Sequence, residues 1–213
     1  MIKVLVVDDH DLIRAGIARM LEDDGSIKVL GEACSGEEAV ERAQEVRPDV
    51  VVMDLKMPGI GGLEAMRRIQ QRCGEQTRVV VVSAYTEDPY PSRVMDAGAS
   101  AFISKNSHIS EMIRAIKMVA NGQRYVSPDI AQAMALNKKS DSPFDCLSER
   151  ELQIATMIMD CQKVQDISDK LCLSPKTVNS YRYRIFEKLD INSDVELTLL
   201  AVRNGLLEVD GPQ

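Results

Sequence analysis

The chain has 213 residues, 45% hydrophobic and 28% charged, with 33 acidic side chains against 26 basic ones and a formal net charge of −7. That length allows one large domain or two small ones, and the composition is that of a soluble globular protein. No apolar run approaches the roughly 20 residues of a membrane span. The start, "MIKVLVVDD", lacks the parts of a signal peptide, so the expected location is the cytoplasm. An acidic chain is a poor partner for nucleic acid unless its positive charge is concentrated on one element. Cys34, Cys73, Cys146, Cys161 and Cys172 are odd in number with no C-x-x-C spacing, and His10 lies far from His108. A structural zinc site is therefore not expected, and buried reduced thiols are.

In chain order, "IKVLVV" opens as a buried strand and "LIRAGIARMLED" follows as an amphipathic helix. The strands "IKVLGEA", "DVVVM", "RVVVVS" and "ASAFIS" then alternate with "SGEEAVERAQEV", "GLEAMRRIQQRC" and a segment near "PSRVMDAG". "ISEMIRAIKMVANG" follows the last strand. Alternating β and α elements imply a parallel sheet covered by helices on both faces, with right-handed crossovers. The pattern changes after Gly122. "LNKKSDSPFD" is polar and reads as a linker, and from Leu147 onward only short helical segments remain. We divide the chain at 1–122, a linker with a short helix at 123–145, and a helical domain at 146–213.

In an open α/β sheet, ligands bind beyond the carboxyl ends of the strands, where strand order reverses. Strand 1 ends in Asp8 and Asp9, strand 3 in Asp54, strand 4 in Ser83 and strand 5 in Lys105. An order 2-1-3-4-5 brings the three aspartates together. Three carboxylates in one cleft repel each other and need a cation, and hard oxygen ligands suit Mg²⁺. Such a site can set a phosphoryl donor against Asp54 as nucleophile, with Ser83 and Lys105 on the phosphoryl oxygens. Asp8 and Asp9 as helix caps, Ser83 as a turn residue and Lys105 as a solvated lysine are the ordinary alternatives.

"VVDDH", "VVMDLKMPGIGG", "VVVVSAY" and "AFISK" resemble the receiver domain of bacterial response regulators. The resemblance implies an α/β flavodoxin-like (βα)5 fold and phosphoryl transfer from a sensor histidine kinase to Asp54. It implies Mg²⁺ held by Asp8, Asp9, Asp54 and the backbone carbonyl of Lys56, with Ser83 and Phe102 at the switch positions and Lys105 at the lysine position. Asn106 stands where many receivers have proline. Pro58 and the glycines are expected to turn the chain away and leave Asp54 accessible.

In the second half, "SERE" from Ser148 and "SDVE" from Ser193 read as capping boxes, and "SPKT" places Ser174 at an N-cap with Pro175 behind it. Helices are expected over 148–160, 164–171, 175–189 and 193–204. A short helix, the turn "CLS" and a longer helix have helix-turn-helix spacing. Residues 175–189 carry Lys176, Arg182, Arg184 and Lys188 against Glu187 alone, so this helix is basic within an acidic domain. Val178, Ile185 and Leu189 share its buried stripe, while Lys176, Ser180, Tyr183 and Arg184, flanked by Thr177 and Asn179, face outward. Lys188 completes the candidate DNA contacts. Arg182 projects nearer the buried side, where an internal partner is the alternative to phosphate.

"LSERELQIATMI" and "ISDKLCLSPKTVNSYRYRIFEKL" resemble the LuxR-type helix-turn-helix of the NarL/FixJ response regulators, and "SDVELTLLAVRNGL" is similar to the GacA/UvrY/LetA group within that class. This implies a transcriptional regulator partnered with a hybrid sensor kinase. In the last helix Val195, Leu199 and Val202 are expected to face the core. Leu197 and Leu200, on the opposite side, are expected to pair two chains on an inverted-repeat DNA site, the alternative being that the linker or the first domain covers them within one chain. The rival reading is a Mg²⁺-dependent phosphohydrolase with an aspartyl-phosphate intermediate. Such phosphatases use D-x-D-x-(T/V), and Lys56 stands where the second aspartate would be.

Overall fold

The computed structural model describes residues 1–84, 86, 90–137 and 142–204. Six strands form one wholly parallel sheet in the order β2-β1-β3-β4-β5-β6. They are β1 Ile2–Val7, β2 Ile27–Ala33, β3 Val50–Asp54, β4 Arg78–Ser83, β5 Ala101–Ser104 and β6 Tyr125–Val126. The central strands are runs of β-branched residues because helices cover both of their faces. Every residue of β3 is buried. One core holds Leu5, Val51, Met53 and Val81 under α2 (Gly36–Val46), α3 (Gly61–Cys73) and α4 (Tyr90–Asp96). The other holds Val4, Val6, Val52 and Val80 under α1 (Asp11–Asp23) and α5 (Ile109–Ala120).

The segment after Gly122, read as a linker, adds to this sheet. Tyr125 and Val126 pair in parallel with Ala101 and Phe102 of β5. Two residues are too short to display a strand period, which is why the sequence pattern missed them. They lead into α6 (Pro128–Asn137), whose Ile130 is buried in the first core with Phe102. Residues 138–141 of the expected linker and 205–213 of the tail lie outside the described residues.

The second half folds as α7 (Glu149–Met159), α8 (Val164–Lys170), α9 (Pro175–Leu189) and α10 (Asp194–Arg203) around its own core of Phe144, Leu152, Ile154, Ile167, Val178, Ile185 and Leu197. The capping signals set the helix starts. Ser148 and Glu151 form a reciprocal capping box, and the Ser174 side chain accepts from the Thr177 amide with Pro175 behind it. Ser193 also accepts from the Glu196 amide, but the Glu196 carboxylate returns to the amide of Asn192, one residue before the cap, so this box is offset. Between α8 and α9 the turn closes through Cys172 at φ 50°, with the Leu173 amide donating to Ser168 O at 2.9 Å.

Two expectations fail here. Leu197 is fully buried in the domain core and Leu200 packs against that core, whereas Val195 and Leu199 are exposed. The phase was misassigned because α10 is apolar on both sides, and the sequence does not say which side its own domain takes. Leu197 therefore faces its own domain and offers no surface to a second chain. The cysteines are all free, but only Cys73 is buried, while Cys34, Cys146, Cys161 and Cys172 are exposed. Cys161 and Cys172 sit at positive φ in the surface turns that close α7 and α8, where burial is not available.

Candidate functional site

Parallel strands all present their carboxyl ends at one edge, so the side chains that end β1, β3, β4 and β5 meet there. Asp8 and Asp54 are buried carboxylates, and Ser83 is buried at the tip of β4. Lys105 reaches across them, its Nζ donating to Asp54 Oδ2 at 2.6 Å and to Asp8 Oδ2 at 2.8 Å. The Lys56 amide donates to the other Asp54 oxygen at 3.2 Å, and the Lys105 amide donates to Ser83 O at 2.8 Å. One candidate ligand atom from each of Asp8, Asp9, His10 and Asp54 lies within 4.8 Å of the others.

The expectation that Asp54 stands open at the strand tip is not met. Its residue surface is 4% exposed, because Lys105 lies over it and neutralises it. Burial pushes the Asp54 carboxyl above the ordinary carboxylate range, and the Lys105 ammonium pulls it only part of the way back. Burial also works against the charge on Lys105, but its bonds to Asp54 and Asp8 outweigh that and raise its pKa.

The glycines of "MPGIGG" have separate reasons. Gly59 and Gly61 lie at φ 76° and 74°, in the left-handed region that favours glycine. Gly62 instead answers a close approach, since a Cβ there would fall 2.0 Å from the backbone oxygen of Asp54.

His10 was not among the sequence-derived site residues. Its Nδ1 lies 2.9 Å from Asp9 Oδ1 and 3.2 Å from Asp8 Oδ1. Asp9 Oδ1 is nevertheless a buried oxygen without a hydrogen bond of acceptable geometry. An acceptor left in that state costs free energy unless a cation or donor comes to it. Three carboxylates around one such atom fit a divalent, oxygen-preferring ion such as Mg²⁺. Phe102, by contrast, is fully buried inside the core rather than at the site.

On α9 the predicted outward face is in the open. Lys176, Ser180, Arg184 and Tyr183, the last 70% exposed, point to solvent, while Thr177 and Asn179 are half-buried beside them. Arg182 turns inward and forms a two-bond pair with Asp194 at 2.7 and 2.6 Å. Lys188 is also engaged, with Nζ 2.6 Å from Glu151 Oε2 and 3.2 Å from Cys146 O. This ties the C-terminus of α9 to the capping box of α7. Contacts such as these join residues far apart in sequence and leave no local signal.

The model of the response regulator receiver domain matches residues 4–117, and that of the bacterial regulatory proteins of the luxR family matches residues 145–201. The response regulator GacA of Pseudomonas syringae pv. syringae is 60% identical over 212 residues, covering 98% of this chain and 99% of the relative. The response regulator UvrY of Escherichia coli K12 is 54% identical over 214 residues, covering 99% and 98%. Among solved structures, a LuxR-family two-component response regulator from Aurantimonas superposes with TM-score 0.62 at 35% identity, over 66% of this chain and 99% of that one. RcsB of Salmonella enterica serovar Typhimurium, solved bound to a promoter, gives TM-score 0.68 at 20% identity over 93% and 97%, a likeness of fold. These relatives are transcriptional regulators rather than enzymes, and the phosphohydrolase reading has no support among them. The chain belongs to the response regulators that join a receiver domain to a LuxR-type DNA-binding domain, the phosphorylation-controlled transcriptional regulators of two-component systems.

Proposed function

We propose that Asp54 is the phosphoacceptor and that its modification governs how α9 meets DNA. The observation that carries this is the Lys105 ammonium bridging Asp54 and Asp8 beside the buried, unsatisfied Asp9 oxygen. Asp8, Asp9, Asp54 and the backbone carbonyl of Lys56 would hold Mg²⁺. The ion, when bound, supplies positive charge against the phosphoryl oxygens.

Lys105 holds the Asp54 carboxylate oriented and ionised despite its burial. An Asp54 oxygen attacks the phosphorus of a phosphohistidine on the sensor kinase. The new O–P bond forms as the P–N bond breaks, and the electron pair stays on the imidazole nitrogen. Lys105 and the Ser83 hydroxyl then serve the phosphoryl oxygens, and Ser83 and Phe102 are the positions from which the change spreads. A sensor histidine kinase of the hybrid type is the proposed donor.

Lys176 and Arg184, exposed on α9, would contact phosphate, and Thr177, Asn179, Ser180 and Tyr183 would meet base edges. Lys188 would have to leave Glu151 to join them. The target is double-stranded DNA carrying an inverted repeat, bound by two chains in the bacterial cytoplasm. With Leu197 enclosed in its own core, the exposed Val195 and Leu199 are the apolar residues α10 can offer to a second chain. The test is intact-mass measurement after incubation with acetyl phosphate and Mg²⁺. The wild-type chain should gain one phosphoryl group and Asp54→Asn none. Full uptake by Asp54→Asn would refute the assignment.

A further inference from the structure

A half-open cavity of about 950 Å³ lies between the two halves of the chain. That volume is within the range of small-molecule sites, which occur preferentially where domains meet. The loop after β3, the start of α3 and the helix α4 form one side, and α7 with the turn after α8 forms the other. Asp54 and Lys105 do not line it, so it is separate from the acidic edge.

Polar bonds make the frame. The Tyr90 hydroxyl bonds to Thr156 Oγ1, Arg93 donates to Leu147 O at 2.9 Å, and the Gly59 amide donates to Lys170 O at 3.2 Å. Apolar side chains make much of the wall, with Ile60, Leu63 and Val94 from the first half and Leu152 and Leu173 from the second. Water gains little against such walls, and an apolar occupant gains by displacing it.

Arg150 gives the cavity its polarity. It stands in the wall and makes three hydrogen bonds, to Gln153 Oε1 at 2.7 Å and to Gly59 O and Leu171 O at 3.2 Å each. All three acceptors are neutral, and among the described residues no carboxylate forms an ion pair with this guanidinium. Glu37 acts on it only from a distance, and one oxygen of Glu37 already accepts from the Ile60 amide at 3.0 Å. Burial lowers the Arg150 pKa, as expected of a cation taken partly out of water without a matching counter-charge. A guanidinium in that state binds an anion more strongly than one in bulk water, and a carboxylate fits its planar fork. Among the described residues the wall carries four basic and four acidic side chains, a balance that accepts one added negative charge and resists two.

We propose that this cavity is a binding site for an amphipathic monocarboxylate, with its carboxylate on Arg150 and its aliphatic body between the apolar walls of the two halves. The site does not depend on the chemistry of Asp54. Its occupant touches both halves, so it stabilises the arrangement that forms the cavity in proportion to occupancy. The chain thereby gains an input set by the concentration of a small apolar acid.

Isothermal titration calorimetry of the full-length chain with decanoate, kept below its micelle concentration, is the test. Acetate carries the charge without the body, decanol the body without the charge, and decyl phosphate a second negative charge. Decanoate should bind one per chain. The other three should bind on the order of tenfold more weakly or worse, the worth of one charge-assisted bond. Arg150→Met should bring decanoate down to the level of decanol. Arg150 also bonds to Gly59 and Leu171, so a second variant leaves those bonds alone. Ala97→Trp, at the half-buried residue after α4 that lines the cavity, fills the space and should weaken decanoate and decanol alike, with the fold checked by circular dichroism. Absence of saturable decanoate binding by the wild-type chain, equal affinity for decanol and decanoate, or undiminished binding by a folded Ala97→Trp variant each overturns the site.

Discussion

Single atoms set the behaviour of the acidic edge. Gly62 is required by space, because a Cβ would strike the Asp54 carbonyl oxygen, whereas nothing lies within 4 Å of a Cβ at Gly16 in α1. Gly62→Ala should cost about 1–3 kcal/mol in urea unfolding, and Gly16→Ala should stabilise by roughly 0.5–1 kcal/mol as a helix-interior glycine. Equal effects at the two positions would refute the close packing. The folded pKa of Asp54 lies above the unfolded value of 3.8, chiefly through burial. A raised pKa favours the protonated fold, so its contribution to stability is present below pH 3.8 and is lost as pH rises through the folded pKa. The unfolding free energy of wild type minus that of Asp54→Asn should therefore fall as pH rises above 3.8. A difference that grows with pH would mean that Lys105 outweighs burial. The aspartates were legible in the sequence because each ends an apolar run. The cover of Lys105 over Asp54 was not, because it joins β5 to β3 across the sheet.

Helix starts and strand runs were read well because their causes are local. Ser148, Ser174 and Ser193 each cap a helix where a serine three residues before a glutamate or beside a proline leads one to look. The failures have equally physical causes. β6 is too short for a period, and its pairing depends on β5 already being in place. The phase of α10 is ambiguous because a helix with two apolar sides states its burial only through tertiary packing. The corrected phase predicts that Leu197→Ala costs about 2–5 kcal/mol, while Leu199→Ala stays within about 0.5 kcal/mol as a surface change. Thermal or urea unfolding of the full chain decides it. The opposite ranking would restore the original phase.

Across the whole molecule, the sheet places its acidic edge at one end, and the loop leaving that edge reaches α7 and the turn after α8. The two-part organisation was legible from the change of pattern near Gly122. The contacts between the parts were not, since Lys56 and Asp160 are paired across 104 residues. The relatives bear this organisation along nearly their full lengths. If the state of Asp54 governs DNA occupancy, chromatin immunoprecipitation of the full-length chain, wild type against Asp54→Ala at matched expression, will show it. Discrete sites occupied by wild type and depleted several-fold in the variant are the predicted result. Equal occupancy of the same sites by both proteins would contradict it.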